Sequence, residues 1–282
     1  MNQAFLSINK NNKTQRQIKT LVAIFLNFIF RSPFYLKLQT MYMNERFALL
    51  SFLFYNQNMR IDILTLFPNM FEPLFESVLG RAVSSKKLEI NLVNIRDFSK
   101  DKHKKCDDVP FGGGAGMVMT AQPIYDAIKS VLTEDSTVIF LSPKGEVFSQ
   151  EKAISLSKEK HLILLCGHYE GIDERIIEIF NPLQISIGDY VLTGGEIPAM
   201  VVVDAVARHV EGVLSKDSLC EESHASGLLE YPQYTRPANF MGHKVPEVLL
   251  SGNHEEIRKF REQMAIEETK QKREDMFNKW KK

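Results

Sequence analysis

The chain contains 282 residues, of which 44% are hydrophobic and 25% are charged, a composition typical of one large or two small globular domains. Lys and Arg number 35, as do Asp and Glu, so the formal net charge is zero, which argues against RNA binding by overall charge alone. The three widely spaced cysteines, Cys106, Cys166 and Cys220, indicate a reducing compartment rather than a disulfide framework.

Residues 1–58 differ in charge from the rest of the chain. They contain seven Lys and Arg and one acidic residue, Glu45, for a net charge of +6, which leaves −6 for residues 59–282. The apolar run Leu21–Phe30 is too short to span a bilayer, and no small-residue cleavage site follows it. Three interpretations stay open: translation that starts at Met59, an organelle transit peptide, or an additional folded element.

We expect no membrane partner and a cytoplasmic location, or an organelle stroma or matrix if residues 1–58 are a transit peptide.

The first half of the remaining chain predicts two strands and a helix. Arg60–Phe67 is β-rich and alternating, which is typical of a strand. An amphipathic helix is predicted from Pro68, with an apolar face that extends to Val78. Leu88–Ile95 is predicted to be the second strand.

A long polar segment, Ser99–Thr120, is predicted to be a loop, with KDKHKKCDDVPFGGGAG at its centre. Loops of about 20 residues in a compact domain are usually functional or disordered. One interpretation is a solvated run of charges. The other is a segment that contacts RNA phosphate and closes over the substrate, with Lys102, Lys104, Lys105 and Gly113 among the contacts.

The second half alternates strands and helices. The helix Gln122–Leu132 precedes the strand Thr137–Leu141, and the helix Ser149–Lys158 leads to the strands Leu162–Cys166 and Leu183–Ile187. This alternation predicts an α/β fold with a parallel sheet and right-handed crossovers.

Glycine-bearing polar loops follow the last two strands, GHYEGID and GDYVLTGGE, and a third strand-end loop reads SPKG. Ligands of open α/β sheets bind just outside the carboxyl ends of the strands, so these loops are expected to form walls of one pocket. Each glycine alone is more typical of a tight turn. No phosphate-binding glycine motif is present, so we expect a nucleotide-like ligand without a phosphate cradle.

The segment Ile197–Val210 predicts a helix that is apolar around most of its circumference and therefore buried. A polar linker, Ser215–Ser226, follows it, and the chain is again predicted to be helical from Leu249.

Two motifs at the strand-end loops resemble a known family. CGHYEGIDER and SIGDYVLTGGEIPA are similar to the cofactor loops of the bacterial tRNA (guanine-N1)-methyltransferases, which belong to the knotted α/β class called SPOUT. Four further blocks match in order between Met59 and about Glu268: DDVPFGGGAGMVM, FLSPKG, GLLEYPQYTRP and VLLSGNHEEIRKFR. The ordered set is specific, although each block alone is only moderately so.

The resemblance implies a fold and a domain organisation. A knotted α/β domain at 59–213, with a deep trefoil knot near 140–210, is followed by a linker at 214–227. A small α-helical, tRNA-binding domain at 228–282 would be shorter than is usual for the family, and residues 1–58 would be an extension. The resemblance also implies a homodimer and tRNA as the partner.

The reaction implied is transfer of a methyl group from S-adenosylmethionine to N1 of guanosine at position 37 of tRNA. Guanine N1 carries a proton at neutral pH, so a general base and a cation at the neighbouring O6 would both assist. The match assigns Glu222 as the base, where the family usually has Asp, and Arg208 as the cation. Glu221 is the adjacent competitor for the role of base.

The resemblance assigns most cofactor contacts to the three strand-end loops. The residues are Leu141, Ser142, Pro143, Gly167, Tyr169, Glu170, Ile187, Gly188, Asp189, Tyr190, Val191, Leu192, Gly194, Gly195 and Pro198. Arg236, within GLLEYPQYTRP, is a further expected RNA contact.

No metal ligands are assigned, because Cys166, His161 and His168 fit no zinc spacing and the thiol is better explained as a small buried hydrophobe. The resemblance alone implies that magnesium aids catalysis.

Two other function classes stay open at this point. One is a non-catalytic RNA-binding module on the same scaffold, against which the intact glycine loops argue. The other is a dinucleotide-dependent oxidoreductase, which the missing glycine fingerprint weakens.

Overall fold

A five-stranded parallel sheet forms the centre of the computed structural model, which describes residues 58–214 and 227–281. The strands are β1 (Met59–Thr65), β2 (Leu88–Asn94), β3 (Asp107–Asp108), β4 (Val118–Met119), β5 (Ser136–Val147), β6 (His161–Cys166), β7 (Leu183–Ser186), β8 (Asn239–Phe240) and β9 (His243–Lys244). The main sheet has the order β2-β1-β6-β5-β7, and each neighbouring pair is parallel. The predicted parallel α/β sheet is therefore confirmed.

Helices cover both faces of this sheet. The α-helices are α1 (Ser77–Ser84), α2 (Ala121–Val131), α3 (Gln150–Leu156), α4 (Glu174–Phe180), α5 (Glu196–Ala207), α6 (Glu247–Leu250), α7 (His254–Lys272) and α8 (Glu274–Trp280). On one face α1, α3 and α5 pack with the 3-10 helix Pro68–Phe75, and on the other face lie α2 and α4.

Strand β6 shows why the central strands contain runs of apolar residues. Leu162 and Leu164 belong to the core on one face of the sheet, and Ile163 and Leu165 belong to the core on the other. All six residues of β6 are buried. Successive side chains of a strand point to opposite faces, so a strand covered on both sides buries apolar residues at consecutive positions.

The prediction of one helix from Pro68 to Val78 is wrong in detail. Pro68–Phe75 is a 3-10 helix, and α1 starts separately at Ser77. Pro73 lies inside the first helix and has no N–H to donate, so a continuous α-helix through it would lose a hydrogen bond. Ser77 has a φ of 54°, which turns the chain between the two helices.

Strand β5 is longer than the predicted Thr137–Leu141. It continues to Val147, and its pairing with β7 shifts register: Leu141 and Glu146 both pair with Ile185. The residues between them bulge out of the ladder. A Cβ on Gly145 would lie 2.4 Å from the backbone carbon of Gln184, so only glycine permits this close passage.

Two short ladders were not anticipated. β3 and β4 pair antiparallel inside the segment predicted to be the Ser99–Thr120 loop, and β8 and β9 form an antiparallel pair ahead of α6. In the described part of the chain, no helix is both long enough and apolar enough to cross a bilayer.

A buried polar network joins four strands at the amino end of the sheet. The Asp62 side chain on β1 is fully buried, and its carboxylate accepts a hydrogen bond of 2.9 Å from Asn91 on β2. It lies 2.8 Å from His161 Nε2 on β6 and 2.8 Å from the Arg60 guanidinium. The other nitrogen of His161, Nδ1, is 2.7 Å from Ser136 Oγ on β5. These bonds satisfy a buried carboxylate that would otherwise be costly.

We expect Asp62→Ala to lower the free energy of unfolding by about 3–5 kcal/mol, because it leaves the buried His161 Nε2 without its partner and removes one of the two acceptors of Asn91 Nδ2. Asp135→Ala is the control, since its ion pair with Lys160 is exposed and should contribute less than about 1 kcal/mol. Urea unfolding of both variants measures the difference. Equal effects of the two substitutions would show that the network does not stabilise the sheet.

Candidate functional site

A cavity of about 320 Å³ lies at the carboxyl ends of β5, β6 and β7. Its walls are the bulge of β5, the loop after β6 and the loop between β7 and α5. Every residue that the motifs assigned to the cofactor lines this cavity except Asp189. In the structure the three strand-end loops therefore line one pocket, as the sequence predicted.

Several lining residues were missed from the sequence. Lys144, His168 and Thr193 lie inside the motifs SPKG, GHYEG and GDYVLTGGE, so membership of those motifs was a usable signal. Gln184 and Ile177 also line the cavity, but they come from β7 and α4. Nothing in their local sequence distinguishes them from ordinary strand and helix residues.

Two of the loops touch backbone to backbone. The Gly195 N–H donates to the Gly167 carbonyl at 2.8 Å, and His168 and Gly194 form an isolated antiparallel bridge. A Cβ on Gly195 would lie 2.8 Å from Cys166 Cα and 2.9 Å from Gly167 N. Glycine is therefore required at 195 by the close approach of another backbone.

The loop after β7 is held by its own first residues. Ser186 Oγ donates to the Gly188 carbonyl at 3.0 Å and accepts from the Gly188 N–H at 3.2 Å. Gly188 has a φ of 151°, and a Cβ there would lie 2.5 Å from the Tyr190 ring. Tyr190 and Val191 remain exposed at the mouth of the cavity. This wall therefore offers backbone groups and apolar side chains, a combination that suits a flat heteroaromatic ligand.

The segment predicted as a long loop packs against the pocket. Glu170 N–H donates to the Met117 carbonyl at 3.0 Å, and Met119 N–H donates to the Gly171 carbonyl at 2.9 Å. Gly116 lies over Glu170, since a Cβ there would be 2.5 Å from Glu170 Oε1. Phe111 lies in the same segment and its side chain is fully exposed. The part of the segment around Gly116 therefore adjoins the cavity loop, whereas the part around Phe111 is exposed to solvent.

The residues expected to contact RNA are exposed. Lys102, Lys105, Gly113 and Arg236 lie on the surface, and Lys104 Nζ pairs with Asp97 Oδ1 at 2.7 Å across a mostly exposed contact. Their contact with RNA stays a prediction.

Arg208 does not line the cavity. It is the C-cap of α5, whereas Gly195 at the pocket is the N-cap of the same helix. At 1.5 Å of rise per residue the two ends of α5 are about 20 Å apart. Glu222 and Glu221 lie outside the described residues. The described part of one chain therefore does not bring the expected catalytic residues to the pocket.

Cys166, the last residue of β6, is fully buried next to the cavity loop but does not line the cavity. Burial raises the pKa of the Cys166 thiol well above its usual range, and the nearby Glu196 carboxylate raises it further. A thiol that stays protonated is a poor nucleophile and a poor metal ligand. Within residues 58–214 and 227–281, no group of three or more His, Cys, Asp or Glu residues could hold a metal ion.

Gly195→Ala should separate the two pocket loops, because its methyl group would meet backbone atoms that cannot rotate away. Gly167→Ala should be milder, since its methyl group would meet the ring edge of Phe140 at 3.0 Å, and a side chain can shift by a few tenths of an ångström. We expect Gly195→Ala to lose more than about 2 kcal/mol of stability and Gly167→Ala about 1 kcal/mol. Chemical denaturation of both variants checks the order, and the reverse order would contradict the geometry.

Comparisons with known proteins match more than three quarters of the chain. A family model for tRNA (Guanine-1)-methyltransferase TrmD matches residues 59–279. The tRNA (guanine-N(1)-)-methyltransferase of Ruminiclostridium cellulolyticum is 59% identical over 226 residues, which cover 78% of this chain and 97% of that protein. The protein of the same name from Clostridium botulinum strain Langeland is 57% identical over 225 residues, covering 79% and 93%.

A third such protein, from Caldanaerobacter subterraneus subsp. tengcongensis, is 58% identical over 224 residues, covering 78% of this chain and 92% of its own. These matches confirm the family that the strand-end motifs indicated. The chain belongs to the tRNA (guanine-1)-methyltransferase family.

Proposed function

We propose that this chain methylates N1 of guanosine 37 in tRNA, with S-adenosylmethionine as the methyl donor. Family membership over residues 59–279 makes the chain an enzyme of the tRNA guanine-N1 methyltransferase type. The donor, the position in tRNA and the catalytic residues are the proposal. The observation that carries it is the cavity at β5, β6 and β7, where the motif residues of three separate loops meet.

The residues of the cavity fit an adenosine-containing cofactor. Its volume of about 320 Å³ lies within the range of small-molecule sites. Apolar walls from Leu141, Pro143 and Pro198 face a loop whose backbone groups can recognise the edge of adenine. The backbone contact at Gly195 holds two of the cavity loops together, because a Cβ there would lie 2.8 Å from Cys166 Cα.

When bound, S-adenosylmethionine supplies a methyl group already activated by a sulfonium, so the chain need not provide a nucleophile. The task of the protein is to hold the guanine and remove its N1 proton. We assign Glu222 as the base that accepts this proton and Arg208 as the cation that stabilises charge on O6. The cavity loops orient the donor and exclude water from it.

The active enzyme is proposed to be a homodimer. Ile197 and Val201, one turn apart on α5, are 46% and 43% exposed in the single chain, although most other apolar residues of the helix are buried. Exposed apolar residues on such a helix favour burial against a second copy. Arg208 lies about 20 Å along α5 from the end of the helix at the pocket. We therefore infer that Arg208 and Glu222 reach the pocket of the second chain rather than that of their own.

The remaining family features are part of the same proposal. Residues 140–210 would contain the trefoil knot, and residues 228–282 would form the tRNA-binding domain, to which α6, α7 and α8 contribute. Lys102, Lys104, Lys105, Gly113 and Arg236 would contact the tRNA, where exposed cations suit phosphate groups. Magnesium remains an expectation from the resemblance alone.

A transfer assay tests the function directly. The full chain is incubated with S-adenosylmethionine that carries a tritiated methyl group and with a tRNA transcript that has guanosine at position 37. A transcript with adenosine 37 is the matched control. Mass spectrometry of the digested product should identify 1-methylguanosine only from the first transcript. Label on another atom or at another position would overturn the proposal.

Glu222→Gln should lower the single-turnover rate of methyl transfer about 10²–10⁴-fold, because it keeps the shape of the side chain but removes the proton acceptor. Affinity for S-adenosylhomocysteine should hardly change, since the base acts in the transition state. Glu221→Gln is the control and should cost much less. If Glu221→Gln were the crippling change, the assignment would be off by one residue.

Subunit complementation should restore activity to a mixture of two inactive variants. Glu222→Gln removes the base, and Gly194→Val disturbs the pocket, since a Cβ at 194 would lie 2.4 Å from Glu196 Oε2. A heterodimer of the two retains one site with both functions if the base serves the partner's pocket. Rates are measured after subunit exchange, with heterodimer formation verified by differently tagged chains. Absence of recovery in verified heterodimers would argue that each site is built within one chain.

A further inference from the structure

Glu196 is a buried carboxylate beside the cavity that the proposed mechanism does not use. The residue is 2% exposed and lies in the first turn of α5, directly after Gly195. Its Oε1 accepts a hydrogen bond of 2.9 Å from Thr65 Oγ1, and Thr65, the last residue of β1, is also fully buried. One carboxylate oxygen is therefore fixed by a strand outside the pocket. Burial of a carboxylate is costly unless each oxygen finds a partner.

The second oxygen faces a histidine of the pocket wall. His168 lines the cavity, and its Nδ1 is buried without a hydrogen-bond partner in the described part of the chain. Glu196 Oε2 is 4.0 Å from this nitrogen. That separation is about 1 Å longer than a charge-assisted N–H···O bond. A buried ring nitrogen that has no partner and a carboxylate oxygen of Glu196 thus face each other just beyond bonding distance.

Two aromatic rings lie against the ring of His168. The Phe67 ring centroid is 5.0 Å away, and Tyr169 meets the His168 ring edge-on at 4.8 Å. Tyr169 also lines the cavity, with a φ of 59°. A ligand that presses on Tyr169 therefore acts on the His168 ring. Movement of the ring toward Glu196 would give His168 Nδ1 the hydrogen-bond partner that it lacks.

We propose that Glu196 is a positioning residue for the cofactor pocket. With Oε1 held by Thr65, Oε2 accepts a hydrogen bond from His168 Nδ1 when the pocket is filled, and this bond fixes the His168–Tyr169 wall against the ligand. The inference rests on the proposed function for the identity of that ligand. It adds a contact that forms on binding and links β1, the loop after β6 and the start of α5.

A purely structural role for Glu196 makes different predictions. If the carboxylate only ties β1 to α5, its removal lowers the stability of the ligand-free protein and leaves His168 irrelevant to binding. If it positions the pocket wall, ligand affinity falls when either partner is removed. The two losses are then not additive, because both substitutions break the same bond.

The test is a double-mutant cycle on the full chain, with S-adenosylhomocysteine affinity measured by calorimetry. Glu196→Leu removes the carboxylate at similar volume, and His168→Phe keeps an aromatic ring beside Phe67 and Tyr169 but removes Nδ1. We expect each variant to bind about 10- to 100-fold more weakly. The double variant should bind no more weakly than the worse single variant.

Further measurements separate positioning from folding. Glu196→Gln, which can still pair with Thr65, should be intermediate in affinity, with a melting temperature of the ligand-free protein close to wild type. In turnover assays the KM for S-adenosylmethionine should rise while the KM for tRNA is unchanged. Glu178→Gln, exposed on α4 and outside the cavity lining, is the control and should match wild type.

Wild-type affinity in either single variant would overturn the inference, as would a double variant whose loss equals the product of the single losses. A loss of affinity that only parallels a drop in melting temperature would assign Glu196 a structural role. If wild-type protein failed to bind S-adenosylhomocysteine, the proposed function itself would fail. Wild-type binding with unaffected variants would overturn this inference alone.

Discussion

The contact between Gly195 and Gly167 is the constraint on which the pocket depends. The loop after β6 and the loop before α5 meet there backbone to backbone, through an N–H···O bond of 2.8 Å. No side chain intervenes, because a Cβ at 195 would lie within 2.9 Å of Cys166 and Gly167 atoms. The two walls are therefore fixed by main-chain geometry, and the side chains around them are free to meet a ligand.

The two ends of the sheet serve different purposes. At the amino end, Asp62 and His161 form a satisfied polar network that joins β1, β2, β5 and β6. At the carboxyl end the strands separate into loops that leave a cavity of about 320 Å³. The polar network makes the amino end of the sheet rigid. The loops at the carboxyl end have irregular backbone, and they need such a rigid sheet to hold the shape of the cavity.

Helix α5 connects the pocket with the surface. Its first turn begins at the Gly195 contact and contains the buried Glu196, and its other end leads to Arg208. Between them, Ile197 and Val201 remain partly exposed. A single element thus contributes to the cavity, to an apolar surface patch and to the proposed catalytic cation. This arrangement gives a physical reason to propose that a second chain completes the site.

The sequence by itself determined the family, the parallel sheet and the three loops that line the cavity. Alternating apolar strands and helices, with glycine-bearing motifs after the strands, are local signals, and each can be read without knowing what packs against it. Only the tertiary structure decided the separate helix at Ser77, the register shift of β5 and the pairing of β3 with β4. Each depends on atoms distant in the chain, as Gly145 passing Gln184 illustrates. The same holds for Glu196 and His168. Both lie within the strand-end motifs, but nothing in the sequence indicates that they face each other, since their juxtaposition results from the folding of β1, β6 and α5 against one another.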